Sequence, residues 1–258
     1  MLTIKKKWTV FPGVCGLFYI GYKRCNMREG YGKSKLFFLV VISLVGILLM
    51  PYRFGTGKAD AVQEKVAITV SNRERNAYLA QGCGVVYAKD DGGIWIVTAG
   101  HVLERAVSPA DILITLKKES GKVEAVCEEY VISANADIAF LRIEGKYLVN
   151  MPEFQDKEQY DMLQQGDGIR LYDIRDEEDV IYEGTLLESW IYVDDFEQYM
   201  MLAECRMDSG MSGGGLWNEN GKMIGIVCGA NSDGILAAVP LHVVSAEYEN
   251  NVLTKVRK

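Results

Sequence analysis

Short apolar runs separated by turn residues dominate the chain from about residue 64 onward. The first six are VAITVSN, CGVVYA, IWIVTA, DILITL, KVEAVCEEYVISA and DIAFLRI, at 66–72, 83–88, 94–99, 111–116, 122–134 and 137–143. Each run is rich in Val, Ile or aromatic residues, and turn signals such as DDGG and SG lie between them. The pattern predicts six strands, which we interpret as a first β-barrel over about 64–145.

A second group of six runs follows a stretch without alternation, 145–165, which is interpreted as a linker. These runs are GIRLYDI, VIYEGTLLESWIYV, YMMLAEC, GGLWNE, KMIGIVCGA and ILAAVP, at 168–174, 180–193, 199–205, 214–219, 222–230 and 235–240. Asn220-Gly221 suits a hairpin turn. The expected fold is all-β, with two six-stranded antiparallel barrels, the second over about 166–240, and the tail 241–258 as one closing helix.

A segment with a different pattern, LFFLVVISLVGILLM at 36–50, precedes the strands. It carries no charge and has no polar face, which disfavours a buried helix of a soluble protein. As a helix it reaches about 22 Å, whereas a hydrocarbon core of about 30 Å usually needs about 20 residues. Residues 36–52 are therefore expected to be a short transmembrane anchor or a signal-peptide hydrophobic region, followed by a linker at 53–63.

The charge of the chain divides at the same segment. Residues 1–35 carry a net charge of +7, whereas the whole chain carries −7, so the long remainder is strongly acidic. The basic side predicts a cytoplasmic segment 1–35 and an extracytoplasmic remainder. Because this remainder has no basic stripe, nucleic-acid binding is not expected.

Cleavage of the segment stays open at the level of the sequence. Ala59-Asp60-Ala61 is an A-x-A pattern, but it lies late after the apolar run, and residues 1–35 are a long n-region. A start at Met27 would leave an n-region of ordinary, shorter length. We favour an uncleaved anchor in the cell membrane, with secretion after cleavage near Ala61 as the alternative.

Six cysteines follow this division. Cys15 and Cys25 would be cytoplasmic and free. The other four permit two disulfides or could all be small buried hydrophobic residues: Cys83, Cys127, Cys205 and Cys228. Cys205–Cys228 is the favoured pair, since both flank the loop around Ser212. No Cys/His spacing indicates zinc, and neither a metal nor a cofactor is expected.

The stretch MDSGMSGGG at 207–215 surrounds Ser212 with bare backbone. Glycine permits positive φ and close approach, which suits either a flexible loop or a tight site around one hydroxyl. A serine nucleophile needs a base, and the chain has two histidines. His101 lies at a strand end in TAGHVL, whereas His242, in VPLHVV, is interpreted as a packed or capping residue. Asp137, directly before an apolar strand, is either the carboxylate that orients the base or an ordinary turn residue.

TAGHVL, ADIAFLRI and GMSGGGLWNENGKMIGI, in this order, resemble the three active-site motifs of the trypsin-like serine peptidases, and are most similar to bacterial Deg-type (HtrA-like) proteases. The resemblance covers roughly 64–248 and implies a double β-barrel that hydrolyses peptide bonds of proteins through an acyl-enzyme. It implies that His101 is the general base, Asp137 its orienting carboxylate and Ser212 the nucleophile. The backbone N–H groups of Gly210 and Ser212 would form the oxyanion hole.

The chain departs from the family pattern at three places. Met211 stands where trypsin has an Asp that pairs with a new N-terminus, so activation by that ion pair is not expected. Val102 replaces the cysteine of secreted animal members. Deg-type proteases usually carry a PDZ domain after the protease domain, but only 18 residues follow Pro240, so no PDZ domain is expected.

The substrate pocket is assigned by the resemblance to residues before the serine and on the strand after it: Arg206, Met207, Cys228 and Gly229. An Arg206 side chain at the pocket base would favour an acidic substrate residue. The alternatives are that Arg206 points to solvent and that the pocket takes a medium-sized apolar residue.

Two other functions compete with a peptidase. Gly210-Met211-Ser212-Gly213-Gly214 also satisfies the G-x-S-x-G pattern of α/β-hydrolases. That fold needs a helix after the serine, which GGGLWNENG will not form, and Asp233 and His242 would have to complete its triad within too short a chain. The second alternative is a catalytically silent surface-binding module that keeps the protease fold, because a blocked cleft cannot be recognised in a sequence.

Overall fold

A computed structural model of the chain describes residues 8–9, 65–72, 77–118, 121–147, 149–173 and 180–254. The predictions for the segment 36–52, Met27, Ala61, Cys15 and Cys25 lie outside these residues. Within them, no helix combines the length and the apolar character needed to span a membrane.

The first half of the described chain forms a seven-stranded antiparallel sheet. In chain order its strands are β2 (Lys65–Asn72), β3 (Ala77–Lys89), β4 (Gly93–Thr98), β5 (Ile112–Lys118), β6 (Gly121–Val126), β7 (Glu129–Ile132) and β8 (Ala139–Glu144). Their order in space is β6-β5-β2-β3-β4-β8-β7. A short helix, α1 (Gly100–Leu103), follows β4, and a 3₁₀ turn, Pro109–Asp111, leads into β5.

The second half forms a closed six-stranded antiparallel barrel. Its strands are β9 (Gly168–Asp173), β10 (Val180–Val193), β11 (Gln198–Glu204), β12 (Gly215–Asn218), β13 (Met223–Asn231) and β14 (Ile235–Pro240). They run in the order β13-β12-β9-β10-β11-β14, and pairing of β13 with β14 closes the ring. A 3₁₀ turn, Asp194–Phe196, joins β10 to β11, and a two-residue strand, β1 (Trp8–Thr9), pairs with the end of β13.

Alternation of side chains explains why these runs form strands with one face in the core. In β2, Val66, Ile68 and Val70 are fully buried, whereas the residues between them are half-buried. The facing strand β5 places Leu116, Ile114 and Ile112 directly opposite them. Aliphatic pairs at these positions, each between β-branched or leucine side chains, stabilise the antiparallel pairing.

Besides α1, two further helices lie outside the sheets among the described residues. The first, α2 (Lys157–Tyr160), begins after Asp156, whose side chain accepts a hydrogen bond from the N–H of Gln159. The second, α3 (Leu241–Tyr248), continues as a π-helical turn, Glu249–Leu253. Tyr248 of α3 packs against Tyr87 and Phe140, with ring centroids 5.0 and 5.3 Å apart. Helix α3 therefore packs against the first sheet, although it follows the barrel in sequence.

The prediction of an all-β fold with two antiparallel units and a short C-terminal helix is confirmed. The second unit has the expected six strands, but the first has seven. The run 122–134 divides into β6 and β7 because the N–H of Glu128 donates to the carbonyl of Arg142, at 2.8 Å, and turns the chain onto β8. All described residues of the tail, 241–254, are helical.

The favoured Cys205–Cys228 disulfide is wrong. Cys83, Cys127, Cys205 and Cys228 are all buried free thiols. Cys205 lies in the core cluster inside the barrel, whereas Cys228 belongs to the cluster shared with the first sheet. Burial raises the pKa of Cys127 to about 12 and that of Cys205 to about 11, so neither is a reactive thiolate at neutral pH.

Candidate active site

His101 is presented at the point where a buried strand turns into a short helix. All six residues of β4 are buried, and α1 is anchored by Val102 and Leu103, which are 1% and 0% exposed. The His101 side chain is only partly buried. Gly100 leaves room for its partner, because a Cβ at this position would lie 3.0 Å from Oδ1 of Asp137.

Asp137 holds His101 by both carboxylate oxygens. Oδ1 accepts the backbone N–H of His101, and Oδ2 lies 2.8 Å from the ring nitrogen Nδ1. Burial by itself raises the pKa of Asp137, but the hydrogen bonds and charge of His101 outweigh it, so the pKa is lowered. An ionised carboxylate accepts hydrogen bonds only, so Nδ1 carries the proton and Nε2 is left as the basic nitrogen.

A buried acid on the last helix supports the turn before Asp137. Ser133 Oγ accepts from the N–H groups of Asn135 and Ala136 and donates to Oε2 of Glu247 at 2.5 Å. Glu247 is 6% exposed, and Nδ2 of Asn251 donates to it at 2.8 Å. This network was not predicted from the sequence. Its only signal was an acid within the otherwise apolar start of the tail.

The glycine-rich turn packs Ser212 tightly against the first sheet. Gly213 adopts φ +87°, and a Cβ there would lie 2.1 Å from Oγ1 of Thr98, so only glycine fits. Ser212 is 8% exposed, and its hydroxyl donates to the backbone carbonyl of Cys228 at 3.0 Å. No hydrogen bond joins Ser212 to His101 among the described residues.

Two backbone donors lie beside the serine. Gly210 adopts φ +89°, a conformation that favours glycine. In the part of the chain that the structure describes, the N–H groups of Gly210 and Ser212 donate to no acceptor. A pair of unpaired amides separated by one residue can bind one oxyanion.

A β-bulge brings the serine and the acid together. The pairing of β13 with β14 shifts between Val227 and Gly229, which leaves Cys228 as the extra residue. Its carbonyl accepts the Ser212 hydroxyl, while its thiol lies 3.5 Å from the carbonyl oxygen of Asp137. Burial raises the pKa of this thiol well above its ordinary value, and the charge of Asp137 raises it further. Cys228 is thus a neutral group between two candidate catalytic residues.

A model of the trypsin-like peptidase domain matches residues 82–226, more than half of the 258 residues. The chain belongs to the trypsin-like peptidases. The matched region contains His101, Asp137 and Ser212, and it runs from β3 to the middle of β13. The chain matches none of the curated proteins compared with it.

The pocket residues expected from the resemblance occupy different environments in this trypsin-like peptidase. The Arg206 side chain is 70% exposed, pairs with Asp208 at 3.3 Å and lies over the ring of Tyr182. Met207 packs partly buried against the barrel core, and Cys228 is fully buried. Gly229 lies in β13 and pairs with Ala237 of β14. Arg206 thus has the solvent-directed orientation that the sequence left as an alternative.

Substitution of Arg206 by alanine is expected to change kcat/KM less than threefold for substrates with acidic, apolar or basic residues before the scissile bond. The reason is that an exposed ion pair contributes only about 0–1 kcal/mol. The measurement is kcat/KM on three matched peptide substrates. A selective loss of at least tenfold for the acidic substrate would instead place Arg206 against the substrate.

A pocket of about 310 Å³ lies beside His101, on the side of the turn before Asp137. Its walls combine apolar and acidic side chains with the candidate base: Gly100, His101, Glu104, Ile132, Ser133, Ala136, Asp137, Asp195 and Phe196. This pocket therefore has room for a ligand side chain next to the imidazole.

Proposed function

We propose that this chain is a serine endopeptidase that cleaves protein substrates with His101, Asp137 and Ser212. The observation that carries the proposal is the double contact of the Asp137 carboxylate with His101. One oxygen fixes the backbone and the other fixes the ring, so Nε2 is the nitrogen that can take a proton. A purely structural turn aspartate needs no such contact with an imidazole.

The proposed reaction begins with rotation of the Ser212 hydroxyl away from the Cys228 carbonyl towards His101. His101 Nε2 takes the hydroxyl proton while Oγ attacks the substrate carbonyl carbon. The N–H groups of Gly210 and Ser212 stabilise the oxyanion, and Asp137 stabilises the imidazolium. His101 then returns the proton to the leaving amine, which yields an acyl-enzyme, and a water molecule releases the acid by the same steps.

The alternative function is a silent binding module with a peptidase fold. One observation favours it: the Ser212 hydroxyl donates to Cys228 rather than to His101. A hydroxyl held in this way is not activated. The two functions differ in whether Ser212 reacts with an electrophile that mimics a substrate carbonyl.

Fluorophosphonate labelling of the full-length chain tests the proposal. We expect one adduct, on Ser212, identified by intact mass and peptide mapping. His101→Ala is expected to slow labelling by at least about 10²-fold, since a positioned base contributes about 10²–10⁴ in rate. His242→Ala is the matched control, because His242 packs against Tyr160 and Trp190 and should leave labelling unchanged. Absence of an adduct on the folded protein would favour the silent module.

We further infer, from the sequence, that residues 36–52 anchor the peptidase on the outer face of the membrane. A chain that crosses the membrane once there would hold residues 8–9 and the barrel on opposite sides. The pairing of β1 with β13 requires residues 8–9 and the barrel to lie on the same side of the membrane. It is therefore incompatible with a single-pass anchor at residues 36–52. N-terminal sequencing of the mature chain, with accessibility of residues 1–35 in intact cells, decides between them. Exposure of an intact N-terminus outside the cell would overturn the single-pass anchor.

A further inference from the structure

Cys83 lies where the first sheet meets the turn that carries Ser212. It stands in the middle of β3 and is 1% exposed. At the preceding Gly82, a Cβ would lie 2.8 Å from the carbonyl oxygen of Ser212. The strand and the turn are therefore in direct contact, and any side chain at position 83 must face the turn or the core.

Cys83 holds two carbonyl groups of the turn. Its backbone N–H donates to the carbonyl of Ser212 at 2.7 Å, and its thiol donates to the carbonyl of Gly210 at 3.3 Å. Its own carbonyl accepts the hydroxyl of Thr98 at 2.7 Å. Thr98 ends β4, which leads to His101, so Cys83 also ties the turn to the strand that presents the base.

The two carbonyls belong to the same residues whose N–H groups are unpaired. Gly210 lacks a Cβ, so its own sterics restrict its backbone rotation very little. The thiol of Cys83 supplies that restriction by fixing the carbonyl of Gly210, while the N–H of Met211 donates to Asp208 at 3.3 Å. Without the thiol, the Gly210 carbonyl loses a buried donor, and the adjacent peptide can rotate to find another.

We propose that Cys83 is a positioning residue for the oxyanion hole: its thiol, through the Gly210 carbonyl, keeps the Gly210 N–H directed at the substrate oxygen. This inference rests on the proposed peptidase function. The thiol takes no part in bond making. It acts by preorganising a backbone donor, which is the property on which stabilisation of an oxyanion depends.

The test compares Cys83→Ala, Cys83→Ser and Cys127→Ala in the full-length chain. Cys127 is the matched control, since it is 3% exposed and its thiol donates to the carbonyl of Glu129 at 3.0 Å and not to the turn. Each variant is measured with a peptide substrate, with a peptide aldehyde and with the corresponding peptidyl alcohol. The aldehyde carbon bonds to Ser212 Oγ, the serine proton passes to His101, and the aldehyde oxygen becomes the oxyanion. The alcohol has no carbonyl carbon for Ser212 to attack.

Cys83→Ala is expected to lower kcat and aldehyde affinity by about 10- to 100-fold, less than the 10²–10³ lost when a donor is removed outright. KM and alcohol affinity should stay within about threefold. Cys83→Ser keeps a hydrogen-bond donor, a hydroxyl on a shorter bond than the thiol, and should recover most of the lost kcat and aldehyde affinity. Cys127→Ala should change the affinity for neither the aldehyde nor the alcohol. Equal losses for aldehyde and alcohol would mean a structural role only and would overturn the proposal.

A crystal structure of Cys83→Ala gives a second readout that does not depend on activity. We expect Gly210 to leave φ near +89° in Cys83→Ala and to keep it in Cys127→Ala. If Gly210 stays in place, the proposal for Cys83 fails even when the chain is an active peptidase. If the wild-type chain neither binds the aldehyde nor accepts the fluorophosphonate, the proposed function fails, and the structure of the variant still decides the role of the thiol.

Discussion

Ser212→Ala is expected to lower kcat by about 10⁶-fold while the fold and KM stay nearly unchanged. The nucleophile is lost outright, and the two N–H donors of the turn remain to bind the substrate carbonyl. The hydroxyl makes one hydrogen bond, to the Cys228 carbonyl, so its removal costs the folded state little. The measurement is kcat and KM for cleavage of a peptide substrate, with the melting temperature recorded beside them.

Ser189→Ala is the control for this change, since it removes a hydroxyl from β10, outside the glycine-rich turn. Its activity should stay within about twofold of wild type. Residual activity of Ser212→Ala above about 1% would show that another group attacks the substrate. The mechanism would then have to be assigned to a different nucleophile or to direct attack by water.

Asp137→Asn is expected to lower kcat by about 10⁴-fold. Asparagine can still accept the backbone N–H of His101 through its carbonyl oxygen. Its NH₂ group, however, is a donor that favours the tautomer with a bare Nδ1, so the proton moves to Nε2 and the base is lost. Asp233→Asn, at the acid that an α/β-hydrolase would need, should have no such effect on the rate. Rates within tenfold of wild type would mean that Asp137 does not orient the base.

The same variant carries a stability prediction with a defined sign. The folded-state pKa of Asp137 is lowered from its ordinary value of 3.8. The ionised carboxylate therefore stabilises the folded state above about pH 4, and this contribution is lost as the pH falls through the folded-state pKa. The difference in unfolding free energy between wild type and Asp137→Asn should be largest near neutral pH and should shrink in acid. A constant difference across this range would contradict the assignment.

The strands could be predicted because each run carries its own signal. Alternating aliphatic residues and flanking turns placed β10 and β14 at their observed bounds. The split of 122–134 could not be seen, because Cys127 and Glu128 are not turn formers. The turn there depends on a hydrogen bond to a residue that comes later in the chain.

The candidate site was predictable only where one short motif contained the chemistry. His101 and Ser212 stand out locally, and the family resemblance supplied Asp137. The supporting groups did not stand out. The sequence predicted a disulfide for Cys228 because its strand and that of Cys205 both flank the Ser212 loop. The bulge that turns the Cys228 thiol towards Asp137 has no signal in the sequence. Cys83 and Glu247 act through contacts between parts of the chain that are more than a hundred residues apart.

The support of the Asp137 turn by Glu247 has a consequence for synthesis of the protein. The candidate orienting acid lies in the turn before β8, but this turn is completed by Glu247 of α3, which is synthesised after the barrel. A nascent chain that stops before α3 therefore has every candidate catalytic residue but lacks the Glu247 contact that supports the Asp137 turn. We expect proteolytic competence to appear only after the helix Leu241–Tyr248 has been synthesised and has packed.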